Sequence, residues 1–266
     1  EVGGHTIRNW DGASWGQQTM IGCLQHSLNV CLAWVAADKL GATDLYAYLG
    51  RFGIGRVTGV DLAGEVSGRL RTPRDPAWTE PDLGTNSFGQ GVSVTPIELL
   101  TAVTAIANHG DMVQPHIVRE VVGPQGAYWP QPSVLGRPIS PQTAETLTGM
   151  LAKSLGGETR YASVPGYQLA GKTGTAQIAQ REGHGYISGC YVGTFVGGAP
   201  LERPAPGRGS GDGLETGAPS KDKAGTQSEI GGGGGGQRHL HVVKEELAAR
   251  EVQDHGRAVE GDAVPA

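Results

Sequence analysis

No stripe of Lys and Arg runs along this chain, whose formal net charge is −5. Without a basic face to neutralise phosphates, nucleic acid is excluded as a partner. No apolar stretch approaches the roughly 20 residues needed to cross a bilayer, and no signal-peptide pattern opens the chain. Cysteine is scarce as well. Cys23, Cys31 and Cys190 are too few for a disulfide framework, and the odd count leaves at least one free thiol. Cys23 and Cys31 fall in neighbouring helical segments and read as packing residues. A metal centre is not expected: the one close histidine pair, His239 and His241, would face different ways on a helix. The 266 residues suffice for one good-sized core, to which the last quarter contributes little.

The most informative stretch is Gly171-Lys172-Thr173-Gly174-Thr175-Ala176-Gln177. With Gly166 in front it satisfies the letters of a phosphate-binding loop, Gly-x-x-x-x-Gly-Lys-[Ser/Thr]. The flanks argue against that chemistry. Tyr161–Pro165 is too short and polar for a buried strand, Gly174 is a poor helix residue after Lys-Thr, and no apolar run ending in Asp follows to hold magnesium. The alternative is a hairpin, with strands over Tyr167–Ile178 and Tyr186–Val196 around the Gly-rich turn 181–185. A strand period of two places Thr173 and Thr175 on one face, and Gly174 leaves room for an extended, peptide-like ligand alongside.

Far upstream, Ser27-Leu28-Asn29 opens an apolar stretch, Val30–Leu40, consistent with a helix ended by Gly41. On its own Ser27 reads equally well as a helix N-cap. Thr95-Pro96-Ile97-Glu98 carries an N-cap, a first-turn proline and a capping-box glutamate ahead of Leu99–Ala107, with Gly110 beyond. Ser140-Pro141 starts another helix, running to Leu155 before Gly156-Gly157. Helices followed by an antiparallel hairpin predict an α+β, multi-domain α-β architecture.

Ser-x-Asn followed by Lys-Thr-Gly resembles the motif set of penicillin-binding protein transpeptidase domains, although Leu28 stands where the Ser-Asp-Asn form has Asp. The strings Gly3–Trp10, Phe52–Leu62, Asn86–Pro96 and Val164–Gln177 extend the likeness to the class B, monofunctional members, over about residues 1–200. The resemblance implies the penicillin-binding-protein/β-lactamase-like fold, an antiparallel sheet flanked by helices. It implies a peptidoglycan D,D-transpeptidase that crosslinks stem peptides through a serine acyl-enzyme and binds penicillin. Ser27 would relay a proton and Asn29 would hydrogen-bond the substrate amide and help hold the catalytic lysine. Lys172 would supply positive potential at the substrate carboxylate. Thr173 and Thr175 would bind that carboxylate beside Gly174, and the Thr175 N–H would form half of the oxyanion hole. No cofactor is implied. The expected partners are peptidoglycan stem peptides, β-lactams and cell-wall synthesis proteins, at the extracytoplasmic face of a bacterial membrane.

The chain departs from that pattern in two places. No Ser-x-x-Lys precedes Ser27; the tetrad at Ser220–Lys223 follows Lys-Thr-Gly and lacks a rigid setting, so it reads as chance. The expectation is therefore an incomplete copy, truncated at both ends, with the nucleophile and a membrane anchor upstream of Glu1 and the fragment itself inactive. Residues 201–266 form the second region, a Gly-, Pro- and charge-rich tail containing Gly231–Gly236, expected to lack order apart from a marginal charged helix over 239–255. Two rivals share the motifs. One is a non-catalytic, carboxylate-binding remnant; the other is a β-lactamase or D,D-carboxypeptidase relative.

Overall fold

The computed structural model describes residues 1–131, 133–155, 168–180 and 185–199, together with the backbone of 226–230 and 239–247. The tetrad at 220–223, the glycine run at 231–236, the Gly156-Gly157 stop and the centre of the hairpin turn lie outside the described residues.

The first half is helical. α1 (Met20–Gln25) is capped by Thr19, whose hydroxyl accepts the Gly22 N–H at 3.1 Å. After a short turn α2 (Asn29–Trp34) runs into a π-helical stretch, Val35–Leu40, and Gly41 breaks the run at φ 72°. Gly41 ends the expected helix and also opens another, α3 (Gly41–Arg51). α4 (Glu80–Asn86) follows a long loop. α2, the π-helical stretch, α3 and α4 close on Val2, Ala33, Ala36, Tyr46 and Leu83, with Ile7, Leu45, Leu49, Leu70, Trp78 and Phe88 around them, while α1 packs on the later helix over 141–155.

α5 (Pro96–Ala107) forms as its caps predict: Thr95 Oγ1 accepts the Glu98 N–H and Glu98 Oε2 accepts the Thr95 N–H, each at 3.2 Å. Glu98 does more than the pattern implied. Only 2 % exposed, its carboxylate also accepts backbone N–H bonds from Gly55 and from Gly68, the latter at 2.8 Å. One side chain thus ties two loops to a helix start, and the fixed amides offset the cost of burying its polar atoms.

β1 (Met112–Val113) pairs with β4 (Val134–Gly136), and β2 (Val121–Gly123) with β3 (Gly126–Tyr128). α6 (Pro141–Leu155) then leads to the main sheet, formed by β5 (Ala170–Ala179), β6 (Tyr186–Ala199), β7 (Thr226–Ile230) and β8 (His239–Leu247). Its order is β5-β6-β8-β7, antiparallel throughout. α6 packs on β5, while α5 contacts β6 and β8. Leu100, fully buried on α5, meets Val103, Ala107 and Val196 of β6, a contact set worth about 1.5–3 kcal/mol for that leucine.

One expectation for the tail is corrected here. His239–Leu247 is a strand, not part of a helix, and pairs with β6 from Ala199↔His239 to Tyr191↔Leu247. Thr226–Ile230 pairs with it in turn. A helix this poor in apolar residues has little tertiary support, whereas β6 supplies a ready ladder of backbone partners. Composition does not register such a ladder.

Candidate active site

β5 runs as a strand from Ala170 to Ala179, straight through Lys172-Thr173 where a phosphate-binding loop would begin a helix. Its burial alternates: Lys172 and Gly174 are half-buried, Thr173 and Thr175 exposed. Lys172 therefore belongs to the face that the helices cover, and the two threonines to the opposite face. Ser154 on α6 fixes the strand just before the lysine, its hydroxyl donating to the Gly171 carbonyl at 3.2 Å. β5 is also an outer strand, with β6 as its neighbour among the described residues.

Gly174 is also a point of close approach inside the sheet. A Cβ there would stand 2.5 Å from Thr194 Oγ1 on β6, so the missing side chain is accommodated within the sheet itself.

Ser27 comes to Lys172 across 145 residues of sequence: Lys172 Nζ donates to Ser27 Oγ, and also to the Thr173 carbonyl at 3.0 Å. Ser27 is not a helix cap. α2 starts at Asn29 behind Leu28, which makes no side-chain cap bond, and Ser27 sits in the turn at φ 50°. That left-handed conformation is uncommon for a residue with a Cβ, and it turns the hydroxyl toward the strand rather than the helix. Asn29 is tied elsewhere. Its Nδ2 donates to the Arg8 carbonyl at 3.1 Å, and Asn9 Oδ1 accepts the Val30 N–H at 3.1 Å.

Several residues around the turn carried no signal in the motif reading. Cys23 and Cys31 are joined in a disulfide with Cα atoms 6.0 Å apart, which corrects their reading as separate packing residues; Cys190 is a free thiol. Their symmetric spacing, four residues before and four after Ser27, was the signal available. Above the turn, Trp10 Nε1 donates to the His26 carbonyl at 3.2 Å, and the Trp15 ring stacks on His26 with centroids 4.2 Å apart. Asp11 holds this strap, accepting from the Ala13 N–H and from Trp15 Nε1, each at 2.9 Å. The Ala13 bond first, and then the indole, keep the Asp11 carboxyl below its ordinary value.

The assembled geometry is a lysine cation against a serine hydroxyl under an edge strand whose outer face presents two threonine hydroxyls. A hydroxyl both donates and accepts, so this pair can pass a proton while the cation stabilises nearby negative charge. An open strand edge accommodates an extended peptide through main-chain bonds. Among the described residues no group of three or more His, Cys, Asp or Glu stands close enough to hold a metal ion. None of the described helices is long and apolar enough to cross a membrane. A cavity of about 630 Å³ between α3 and β4 touches neither Ser27 nor Lys172 and takes no part in this geometry.

The penicillin binding protein transpeptidase domain matches residues 1–205. The chain is 34% identical over 212 residues to stage V sporulation protein D of Bacillus subtilis, covering 77% of this chain and 32% of that protein. It is 31% identical over 206 residues to the peptidoglycan D,D-transpeptidase FtsI of Escherichia coli, covering 76% of this chain and 32% of that protein. A crystal structure of penicillin binding protein 3 from Mycobacterium tuberculosis, complexed with aztreonam, superposes with a TM-score of 0.71 at 28% identity over 92% of this chain and 49% of that one. The chain thus spans about a third of the length of these relatives. It belongs to the penicillin-binding-protein transpeptidase family, and the α+β arrangement of an antiparallel sheet against helices is the fold of that family.

Proposed function

We propose that this chain supplies the proton-relay and carboxylate-binding side of a peptidoglycan D,D-transpeptidase site. The observation that carries the proposal is the contact of Lys172 with Ser27 beneath the edge strand that bears Thr173 and Thr175. In this reading Thr173 and Thr175 receive the terminal carboxylate of a D-alanyl-D-alanine stem peptide, or that of a β-lactam, along β5. The Thr175 N–H polarises the scissile carbonyl. Ser27 passes the proton to the departing or attacking amine, and Lys172 holds the hydroxyl oriented and the local potential positive. Asn29 braces the turn through the Arg8 carbonyl and presents its amide oxygen to the substrate backbone.

Acyl transfer also needs a nucleophile. None is supplied by a Ser-x-x-Lys ahead of Ser27 in these residues, and the transpeptidase portion is taken as 1–200. The working site would lie on the extracytoplasmic side of a bacterial membrane beside the other proteins of wall synthesis. It uses no cofactor.

The test is a fluorescent penicillin. The 266-residue chain is expected to give no covalent adduct by intact mass. The same chain carrying a Ser-x-x-Lys segment ahead of Glu1 is expected to be acylated, and Lys172→Ala is expected to slow that acylation about 100- to 1000-fold. Acylation that Lys172→Ala leaves untouched would overturn the assignment. Absence of acylation in the longer chain would favour the non-catalytic, carboxylate-binding reading, and rapid hydrolysis of the drug the β-lactamase reading.

A further inference from the structure

We propose that the Cys23–Cys31 disulfide is a positioning element that presents Ser27 to Lys172, which makes the candidate site sensitive to thiol reduction. The inference rests on the reading of Ser27 as the relaying hydroxyl and adds a regulation to it.

The argument starts from the turn. Ser27 occupies a left-handed backbone conformation at φ 50° between the six-residue α1 and the start of α2, which continues into the π-helical stretch. A helix as short as α1 does not hold itself together in water, and an unfavourable backbone conformation persists only where its surroundings over-determine it. The disulfide supplies that constraint from below. It joins Cys23, the fourth residue of α1, to Cys31, the third of α2, across a separation of eight residues, with Ser27 at the midpoint. Cys23 is 1 % exposed and Leu28 is 2 % exposed, while Cys31 is half-buried, so one end of the cross-link and the residue after Ser27 are embedded in the packed interior and the other end of the cross-link is partly exposed. Within the closed loop the Leu28 N–H donates to the Cys23 carbonyl at 2.9 Å, and the Ser27 N–H to the Leu24 carbonyl at 3.3 Å. The cross-linked residue is thus itself the acceptor that sets the turn.

From above, the strap supplies a second constraint through the Trp10 bond and the Trp15 stack on His26. The strap holds His26 and the disulfide holds the spacing of the two helix ends. With the disulfide opened, the turn is held by the Leu28–Cys23 and Ser27–Leu24 backbone bonds and by the strap on His26, without a covalent tie between α1 and α2, and Ser27 can return to the ordinary right-handed or extended regions, carrying its hydroxyl away from Lys172. Reduction is a balanced exchange: a dithiol such as dithiothreitol delivers two electrons and two protons to the S–S bond, leaving two cysteine thiols, and is itself oxidised to a cyclic disulfide.

The experiment uses the whole chain, isotope-labelled, in three states: oxidised, reduced with dithiothreitol, and as the variant Cys23→Ala/Cys31→Val, which refills the buried volume without a cross-link. Two local readouts are followed by NMR, the through-space contact between the Ser27 and Lys172 side chains and the hydrogen-exchange rate of the Leu28 amide. Amides of α5 report the core. Opening the disulfide is expected to abolish the Ser27–Lys172 contact and speed Leu28 exchange by about tenfold or more, with α5 unchanged. Reoxidation should restore both in the wild-type chain and in neither respect in the variant. A Ser27–Lys172 contact that survives in the reduced chain and the variant would overturn the proposal, leaving the cross-link a role in global stability. Equal acceleration of Leu28 and α5 exchange would overturn it as well. These outcomes are independent of penicillin labelling, so failure of the transpeptidase reading and failure of the redox inference are separately visible.

Discussion

Glu98 and Lys172 are two charged side chains drawn in from solvent, and they are held in opposite ways. Glu98 is 2 % exposed and faces backbone N–H groups of Gly55, Gly68 and Thr95, none of which can turn away. Lys172 is half-buried and faces a serine hydroxyl, a partner that rotates and can either give or take a proton. Fixed amides lock three segments of chain together. A hydroxyl in a turn held at positive φ makes a site where charge and proton can move. The contrast separates the two kinds of buried polarity: the first stabilises the fold, the second is suited to chemistry.

The largest effect that would break the comparison comes from Glu98. Glu98→Ala leaves three N–H donors without their acceptor and is expected to cost on the order of 3–5 kcal/mol in urea denaturation, with the slope unchanged. Glu98→Gln keeps an acceptor and should cost roughly 1–2 kcal/mol. Opening the cross-link by Cys23→Ala/Cys31→Val comes next. Closing a loop of about eight residues is worth about 2.5 kcal/mol in the chain-entropy picture, so the denaturation midpoint should fall by that equivalent.

Lys172→Met should lower stability by less than about 1 kcal/mol, because its partner is a hydroxyl that water can serve once the cation is gone. Equal losses for Glu98→Ala and Lys172→Met would erase the distinction between the two sites.

The smallest effect is at the surface. Arg137 meets Asp111 through two bonds, at 2.6 and 2.8 Å, and the hydrogen bond from the guanidinium, followed by its charge, holds the Asp111 carboxyl below its ordinary 3.8. A depressed carboxylate stabilises the fold above that ordinary value. The contribution disappears as pH falls through the lower folded-state value. Thermal melts between about pH 2 and 5, where carboxylates titrate, should show a shallower acid loss in Arg137→Ala than in the parent, and added salt should shrink the difference. Unchanged melts would mean that the exposed pair contributes nothing measurable.

Much of this molecule was legible along the chain because the signals were local. Thr95, Pro96 and Glu98 announce α5, Ser140 and Pro141 announce α6, and the runs Tyr167–Ile178 and Tyr186–Val196 announce the hairpin whose strands form over Ala170–Ala179 and Tyr186–Ala199. Ser-x-Asn and Lys-Thr-Gly were visible as patterns, and the split of Lys172 from Thr173 and Thr175 follows from strand period alone. The disulfide was missed because three cysteines look like too few for a framework, although two of them flank Ser27 evenly. The Trp10–Asp11–Trp15 strap was missed because its partner, His26, is near only after the turn has formed. β8 was read as a marginal helix because its pairing with β6 is a property of another segment.

Local elements, family and the residue types at hand can be read along the chain, since caps, periods and motif strings are written within a few residues of one another. That Ser27 is a strained turn residue facing Lys172 and not a helix cap, that Glu98 gathers two distant loops, and that Cys23 bonds to Cys31 emerge with packing. Each of these depends on atoms brought together through packing, where the free energy of the contact is set by distance and burial and not by position along the chain.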